Sequence, residues 1–200
     1  MELTTQQNKV FEQIKVFLKS DASVFILRGY AGTGKTTMVK VIADYIKQSR
    51  QLVMMAPTGR AARVLNKKTG HDAVTIHKAI YGKAHVQPKK VKDVAESEFK
   101  FVFPINQPEN GGNIVAIVDE ASMVCSRKIE HELFMFGTDN QMDDLLTFVR
   151  PNFGGKVIFV GDPAQLPPVG ESVSNALRAE YFQEKGLKVI EAELTEVLRQ

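Results

Sequence analysis

The sequence predicts a doubly wound α/β fold, in which a parallel β-sheet carries helices on both faces. Four short apolar runs rich in β-branched residues have the composition of strands buried on both sides, at residues 24–27, 52–56, 114–118 and 157–160. Amphipathic helical stretches follow the first two of these runs, so strands and helices alternate along the chain. This alternation is typical of sheets whose strands run in parallel.

The helices are predicted from apolar residues that recur at helical spacing. The first covers residues 4–19, where Val10, Ile14 and Phe17 share one face. Thr4 followed by Gln7 has the form of a capping box at its start. Two further helices are predicted after the first and second strands, over residues 36–48 and 59–66.

Residues 79–113 interrupt the alternation of strands and helices. They contain a cluster of lysines, formed by Lys89, Lys90 and Lys92. They also contain phenylalanines at alternate positions, namely Phe99, Phe101 and Phe103. Alternation of this kind favours a β-hairpin, and so long a segment without helical periodicity is unusual inside a compact domain. We therefore expect a small inserted β-hairpin arm, and we expect a second irregular stretch over residues 137–155.

The composition suits one globular core and gives no sign of a membrane or a zinc site. The 200 residues are 44% hydrophobic and 24% charged, which is enough for one core with a small insertion. No apolar run reaches the roughly 18 residues that cross a bilayer, and the first residues lack a secretory pattern. The single cysteine, Cys125, has no neighbours at metal-ligand spacing. We expect a soluble, cytoplasmic protein, associated with the nucleoid if its source is bacterial.

A phosphate-binding loop is predicted at residues 29–36, GYAGTGKT, between the first strand and the helix that follows it. Glycines there let backbone N–H groups converge on phosphate oxygens, and Lys35 neutralises charge on the β- and γ-phosphates. The hydroxyl of Thr36 is the candidate ligand of Mg²⁺. The alternative is a glycine-rich turn with no ligand. The residues predicted to bind ATP here are Gly29, Gly32, Thr33, Gly34, Lys35, Thr36 and Thr37.

Polar residues that follow two other strands are predicted to complete this site. Asp119 and Glu120 come directly after the run 114–118, at the edge of the sheet where ligands of such folds bind. Asp119 is the candidate Mg²⁺ ligand, and Glu120 the candidate base for the attacking water. Gln165, in the turn after the run 157–160, can hydrogen-bond a phosphate oxygen or that water. The alternatives are an acidic pair at a helix start and a surface glutamine.

Seven ordered motifs resemble those of superfamily 1B helicases of the RecD-like and Dda-like group, over nearly the whole chain. They are LTxxQ at residues 3–7, GxAGTGKT at 29–36, APTGRAA at 56–62, TIH at 75–77, DEASM at 119–123, GDPAQLPPV at 161–169 and LTEVxRQ at 194–200. The resemblance implies a RecA-like P-loop domain that uses ATP and Mg²⁺. It also implies action on single-stranded and forked duplex DNA with 5′ to 3′ translocation, and we expect a monomer.

The resemblance assigns further roles to individual residues. It implies that Gln7 contacts the adenine, with the capping box as the alternative, and that Arg199 contacts the γ-phosphate, with a solvated arginine as the alternative. The residues it implies along single-stranded DNA are Pro57, Thr58, Arg60, Thr75 and His77, and a buried core histidine is the alternative for His77. In the arm, Phe99, Phe101 or Phe103 would stack on a terminal base. Packing of at least two of them against the main domain is the alternative.

The resemblance also implies a domain organisation. Residues 1–78 and 114–200 would form RecA-like domain 1A, and residues 79–113 a 1B-like arm. The second RecA-like domain is absent from these 200 residues, so we expect a fragment that does not unwind DNA alone.

Two rival functions stay open: a P-loop ATPase acting on RNA or protein, and a non-hydrolysing scaffold that binds DNA or nucleotide. The motifs at 56–62 and 75–77 favour the helicase over the first rival, and intact Lys35, Asp119 and Glu120 favour it over the second. Proteins of replication or of repair are the partners that such a helicase would have.

Overall fold

The computed structural model of this chain describes residues 3–89, 98–107, 114–150 and 153–198. The helices are α1 Thr5–Lys19, α2 Lys35–Ile46, α3 Gly59–Thr69, α4 Ile76–Ile80, α5 Gln141–Val149 and α6 Ala179–Glu184. The strands are β1 Val24–Gly29, β2 Gln51–Ala56, β3 Ala73–Thr75, β4 His85–Lys89, β5 Glu98–Phe103, β6 Ile114–Val118, β7 Phe134–Phe136, β8 Lys156–Gly161 and β9 Val189–Leu194. Within the described ranges, none of the helices combines the length and the apolar character that crossing a membrane requires.

A six-stranded sheet in the order β3-β2-β6-β8-β1-β9 forms the centre of the molecule. Every neighbouring pair in it runs parallel. The four predicted strands are β1, β2, β6 and β8, so the predicted α/β fold is confirmed. The two edge strands, β3 and β9, are not predicted from the sequence, because they are only partly buried and lack a continuous apolar run.

The core lies on both faces of this sheet, because alternate residues of each strand point to opposite sides. On one face, Phe25 and Leu27 of β1 pack with residues of α1, α2 and α3. On the other face, Val24 and Ile26 pack with residues of α4, α5 and α6. The central strands β6 and β8 are buried along their whole length. Burial on both faces explains why their sequences read as unbroken apolar runs.

The predicted irregular stretch at residues 137–155 is wrong over its middle part, where the chain forms α5. Asn140 caps this helix, and its side-chain oxygen accepts from the backbone N–H of Asp143 at 3.1 Å. The helix is only nine residues long and is buried nearly all round. A helix of nine residues repeats its apolar face only about twice, which is too short a pattern to stand out from the irregular residues on either side.

A second, three-stranded sheet lies apart from the first, and we call it the arm sheet. β4 and β5 pair antiparallel, as the predicted hairpin requires. β7 adds to β5 in parallel, with Phe134 opposite Phe101. This third strand comes from outside residues 79–113, so the arm sheet is built from two separate segments of the chain. The division of the chain into a 1A domain and a 1B arm stays a prediction.

Candidate functional site

The carboxyl ends of β6, β8 and β1 lie side by side, because these strands are neighbours in the sheet. The loops that follow them therefore meet at one edge, as expected for open parallel sheets. Between them is a cleft of about 560 Å³. The predicted residues that line it are Gly32, Gly34, Lys35, Thr36, Thr37, Glu120 and Gln165.

The loop at residues 29–36 has the backbone shape that a phosphate cradle needs. Gly32 and Gly34 both have φ near +81°, a left-handed conformation that favours glycine. Gly34 is the N-cap of α2 and supplies no side-chain cap, so the first N–H groups of α2 remain available to a ligand. At Gly29 a Cβ would lie 2.7 Å from Thr33 Oγ1, and Thr33 itself is buried, with its hydroxyl donating to Tyr30 O at 2.8 Å.

Lys35 lies across this loop. Its Nζ donates to Gly29 O at 2.6 Å and to Tyr30 O at 2.9 Å. Asp162 Oδ2 is 3.8 Å from the same nitrogen. The lysine charge is thus held over the loop by polar groups of the site.

The two carboxylates differ in their surroundings. Asp119 directly follows β6, and burial, followed by the charge of Glu120, raises the pKa of Asp119 to about 6. Glu120 has φ +52°, a left-handed conformation that is strained for this residue. It stands at the start of a short 3-10 turn, Ala121–Met123, and its side chain caps no N–H there. Among the described residues, Glu120 Oε2 is buried without a hydrogen-bond partner. The alternative of an acidic pair that caps a helix is therefore not supported.

Gln165 is fixed by a residue that the sequence motifs contain but to which no role was assigned. Ser122 is fully buried, and its hydroxyl donates to Gln165 Oε1 at 2.7 Å. Asp162, also unassigned, shapes the turn: its Oδ1 accepts from Ala164 N at 2.9 Å, and its backbone oxygen accepts from Gln165 N at 3.2 Å. Their membership of DEASM and GDPAQLPPV was the only signal in the sequence for either residue.

Gln7 makes the predicted capping box and still presents part of its amide to the site. Its backbone N–H donates to Thr4 Oγ1 at 3.2 Å, and its Oε1 accepts from Thr4 N at 3.1 Å. Its Nε2 is buried without a partner among the described residues. That nitrogen lies so close to Gly34 that a Cβ there would overlap it. The role of Gln7 toward adenine stays a prediction.

The chain returns to the phosphate loop near its last residues. Leu198 N–H donates to Gly32 O at 2.9 Å, and Leu198 lines the cleft. Arg199 lies outside the described residues, so its role toward the γ-phosphate stays a prediction.

Lys68 and Lys40 line the cleft as well, and neither is predicted from the sequence. Lys68 belongs to α3 and lowers the pKa of Asp119 slightly against the larger effect of burial. It also lines a second cavity of about 400 Å³, which shares Thr36, Asp119 and Glu120 with the site and extends to Thr58 and Arg60. The helical face that carries Lys68 thus joins the carboxylates to two residues predicted to contact DNA.

The residues predicted to contact single-stranded DNA lie at the same edge, after β2 and β3. Ala56 is opposite Thr75 in the register of these strands, which brings Pro57 and Thr58 near Thr75. Both threonines are N-caps: Thr58 Oγ1 accepts from Ala61 N and Thr75 Oγ1 from Lys78 N, each at 3.2 Å. A capping oxygen leaves its own O–H free to donate. Thr58 and Arg60 are exposed, whereas Pro57 and Thr75 are half-buried.

His77 is not a buried core histidine, because its side chain is exposed. Its ring meets the edge of Phe136 at 5.3 Å, and its Nδ1 lies 3.2 Å from Gln141 Nε2. Partial burial lowers the pKa of His77, which favours the neutral ring.

The three alternating phenylalanines of the arm have different surroundings. Phe103 packs against the core and stacks on Phe136, with 4.5 Å between the ring centroids. Phe101 is exposed and stacks on Phe134 of β7 at 5.9 Å, and Phe99 is 53% exposed. Packing of at least two of the three against the main domain is therefore not observed.

Comparisons with known proteins give a family match and two similar helicases. The family model described as AAA domain matches residues 2–200. The ATP-dependent RecD2 DNA helicase of Deinococcus radiodurans is 32% identical over 169 residues, which are 84% of the chain and 18% of that protein. The ATP-dependent DNA helicase dda of Enterobacteria phage T4 is 28% identical over 200 residues, which are 99% of the chain and 40% of that protein.

A solved structure has the same fold at lower identity. Bacteroides Pif1 bound to ssDNA matches with a TM-score of 0.58 and 24% identity, covering 100% of this chain and 43% of that one. The chain thus spans less than half of each of these relatives. It belongs to the AAA domain family, and its resemblance to the motor domain of superfamily 1B helicases is confirmed.

Proposed function

We propose that this chain is the nucleotide-binding motor domain of an ATP-dependent DNA helicase. The observation that carries the proposal is that the ends of β1, β6 and β8 bring Lys35, Glu120 and Gln165 to one cleft. The relatives at 32% and 28% identity are both DNA helicases by name. Because the chain spans only 18% and 40% of these proteins, unwinding is a property we assign to the whole protein.

In this proposal the phosphates bind at the start of α2. The N–H groups of its first turn have no side-chain cap, and Lys35 exchanges its two carbonyl acceptors for phosphate oxygens. Among the described residues, no group of three or more His, Cys, Asp or Glu could hold a metal. Magnesium suits such a site, since it is usually bound by one or two carboxylates together with substrate phosphates and water. Asp119 and the Thr36 hydroxyl would hold it, and it would neutralise charge on the transferring phosphoryl group.

Glu120 is the proposed base. Its Oε2 is buried without a partner among the described residues, and a carboxylate oxygen in that state is ready to accept a proton from water. Ser122 donates to the Oε1 of Gln165. The NH₂ group of Gln165 is then left to donate to a phosphate oxygen or to the attacking water. Gln7 and Arg199 complete the proposed nucleotide contacts.

The proposed DNA path runs along the edge formed after β2 and β3. Hydroxyl, imidazole and guanidinium groups there suit contacts to phosphates, which carry no sequence information. Its members are Pro57, Thr58, Arg60, Thr75 and His77, with Phe99 and Phe101 at the arm. The same proposal includes movement from 5′ to 3′ and action at forked duplexes. It also includes a monomeric state, a cytoplasmic location and partners in replication or repair.

The test is ATP turnover by the whole protein, measured as phosphate release with no nucleic acid, with single-stranded DNA and with single-stranded RNA. We expect DNA to stimulate turnover. Stimulation by RNA only, or by neither, would contradict the helicase and support one of the rival functions. Lys35→Ala should abolish turnover, and Lys47→Ala, at the exposed far end of α2, is the matched control that should not.

Direction of movement needs a separate assay. Duplexes with a single 5′ or 3′ tail are offered to the whole protein with ATP and Mg²⁺. We expect strand separation from the 5′ tail, and preference for the 3′ tail would contradict the proposed polarity.

A further inference from the structure

Asp144 is a fully buried carboxylate on α5, away from the nucleotide cleft. It accepts the Tyr81 hydroxyl at 2.6 Å, the Thr138 N–H at 3.0 Å and the Thr138 hydroxyl at 2.7 Å. The donors that the structure describes around it, on Tyr81 and Thr138, are all neutral groups. Burying a carboxylate is costly unless hydrogen bonds replace its water. Such an arrangement therefore has to be explained by what the carboxylate holds together.

Its partners stand where the arm sheet joins the main sheet. Tyr81 directly follows α4 and precedes β4, and its backbone forms a bridge with Ile105, just after β5. Thr138 lies just after β7. One carboxylate thus contacts the chain where the hairpin begins and again where the third strand ends.

The turn at Gly137 is built around this carboxylate. Gly137 has φ +52°, and a Cβ at this position would overlap the Asp144 side chain. The backbone N–H of the same glycine donates to Phe103 O of β5 at 2.9 Å. The turn therefore contacts Asp144 on one side and the arm sheet on the other.

Tyr81 is held as a neutral donor in this arrangement. Burial, followed by the hydrogen bond to Asp144, raises the pKa of Tyr81 above its usual range. Its ring also packs at 5.3 Å from Phe136 of β7. Tyr81 thus joins the hairpin and the third strand through its ring as well as through its hydroxyl.

The helix that carries Asp144 is firmly attached to the main sheet. Met142, Leu145 and Val149 of α5 are fully buried in the core. Its N-cap, Asn140, donates through Nδ2 to Ser126 O at 2.9 Å. Ser126 is held in turn by Glu171, whose carboxylate accepts from its N–H at 2.7 Å and its hydroxyl at 2.6 Å. The backbone of Asp144 is therefore held in the core by α5, while its carboxylate contacts the arm through Tyr81 and Thr138.

We propose that Asp144 is a positioning residue that anchors the arm sheet to the motor domain at two separate points. Apolar packing of Phe103 and Phe136 already holds the arm sheet against the core. The hydrogen bonds of Asp144 to Tyr81 and Thr138 add two fixed points that resist rotation of the sheet. The exposed pair Phe101 and Phe134 is then held at a constant orientation relative to the nucleotide edge. This last consequence rests on the proposed function, but the anchoring does not.

Hydrogen–deuterium exchange of the whole protein tests the anchor without any activity measurement. Asp144→Asn keeps the shape of the side chain but replaces one of its two acceptor oxygens by an NH₂ group, which then faces either the Tyr81 hydroxyl or the donors of Thr138. We expect amides of the arm sheet, including those of Phe101 and Gly137, to exchange on the order of tenfold faster. Amides of the main sheet, such as Val157, should not change. Tyr81→Phe removes one donor only and should give a smaller effect in the same direction.

A matched control separates anchoring from general stability. Lys156 is buried at the opposite end of the sheet, where its Nζ donates to Ser20 O at 3.0 Å and to Ala22 O. Lys156→Met should speed exchange around β8 and leave the arm sheet unchanged. Equal acceleration of both sheets by Asp144→Asn, or none in the arm, would overturn the proposal.

The same variants distinguish the anchor from the proposed function. If the anchor serves unwinding, Asp144→Asn should lower strand separation per ATP hydrolysed, while DNA-stimulated ATP turnover is retained. A wild-type protein that unwinds nothing would contradict the proposed function and would leave the exchange result as it stands. Local loosening of the arm with strand separation per ATP unchanged would confirm the anchor and contradict its role in unwinding.

Discussion

Ser122 donates a hydrogen bond of 2.7 Å to Gln165 Oε1, and 43 residues separate the two in the sequence. The bond connects the turn after β6 to the turn after β8 at the edge of the sheet. Because the amide oxygen is occupied, the NH₂ half of Gln165 is the half that can donate elsewhere. A buried serine therefore sets the orientation of a residue that lines the nucleotide cleft.

Loss of this bond should slow hydrolysis more than it weakens nucleotide binding. Ser122→Ala leaves the Gln165 amide free to rotate, and we expect kcat for ATP to fall by about tenfold with KM nearly unchanged, since one hydrogen bond contributes on the order of 1 kcal/mol. Steady-state turnover of the whole protein measures both constants. A rise in KM with kcat unchanged would show that Ser122 acts on binding instead.

Exchange of the two carboxylates for neutral residues should separate their roles. Glu120→Gln keeps the shape of the proposed base but cannot accept a proton, so we expect Mg²⁺-dependent ATP binding without hydrolysis. Asp119→Ala should weaken binding itself. Titration of a fluorescent ATP analogue with and without Mg²⁺ makes the comparison, and equal loss of binding in both variants would contradict the division of roles.

The raised pKa of Asp119 predicts that the free energy of unfolding of the metal-free protein depends on pH. Its folded-state pKa is about 6, above the ordinary aspartate value of 3.8, so the folded state holds the proton more tightly. Stability should therefore fall as pH rises from about 4 to about 6 and stay level above, by roughly 1–3 kcal/mol. Denaturant unfolding in chelator should show Asp119→Asn gaining on the wild type across this window. A difference that does not depend on pH would contradict the prediction.

Lys68 should contribute to nucleotide affinity although no phosphate-loop motif contains it. It lines both cavities at the site, and Lys67 beside it lines neither. We expect Lys68→Met to raise Kd for a non-hydrolysable ATP analogue several-fold, because an exposed charge pair contributes about 1 kcal/mol or less. The effect on ADP should be smaller, because ADP lacks the γ-phosphate and carries less negative charge. Lys67→Met is the matched control, and similar shifts in both variants would indicate a general loss of positive charge.

Substitution of the exposed Phe101 and of the half-buried Phe103 should have different effects. Phe101→Ala removes a residue that is 42% exposed. If Phe101 stacks on a base, the variant loses a contact worth roughly 1–3 kcal/mol. We therefore expect unwinding to fall much more than DNA-stimulated ATP turnover, because the arm lies outside the nucleotide cleft. Phe103→Ala should instead lower the melting temperature, because Phe103 packs against the core. If Phe99→Ala and Phe101→Ala also lower it and neither uncouples turnover from unwinding, the stacking role is wrong.

The features that depend only on neighbouring residues could be predicted from the amino-acid sequence. The strands β1, β2, β6 and β8 are readable because burial on both faces demands continuous apolar runs. The phosphate loop is readable because its chemistry needs glycines and a lysine at fixed spacing between a strand and a helix. The capping box at Thr4 and Gln7 is equally local.

Which distant residues come into contact depends on how the whole chain packs, and the sequence pattern does not predict it. The Ser122–Gln165 bond, the position of Lys68 in the cleft and the addition of β7 to the arm sheet each join segments far apart in the chain. α5 was missed because it is too short for its periodicity to stand out from the irregular residues around it. Asp144 was missed because a buried aspartate cannot be distinguished from a surface aspartate in the sequence. Periodicity reports how much of a segment is buried, but not which segment buries it, since that choice depends on packing across the whole fold.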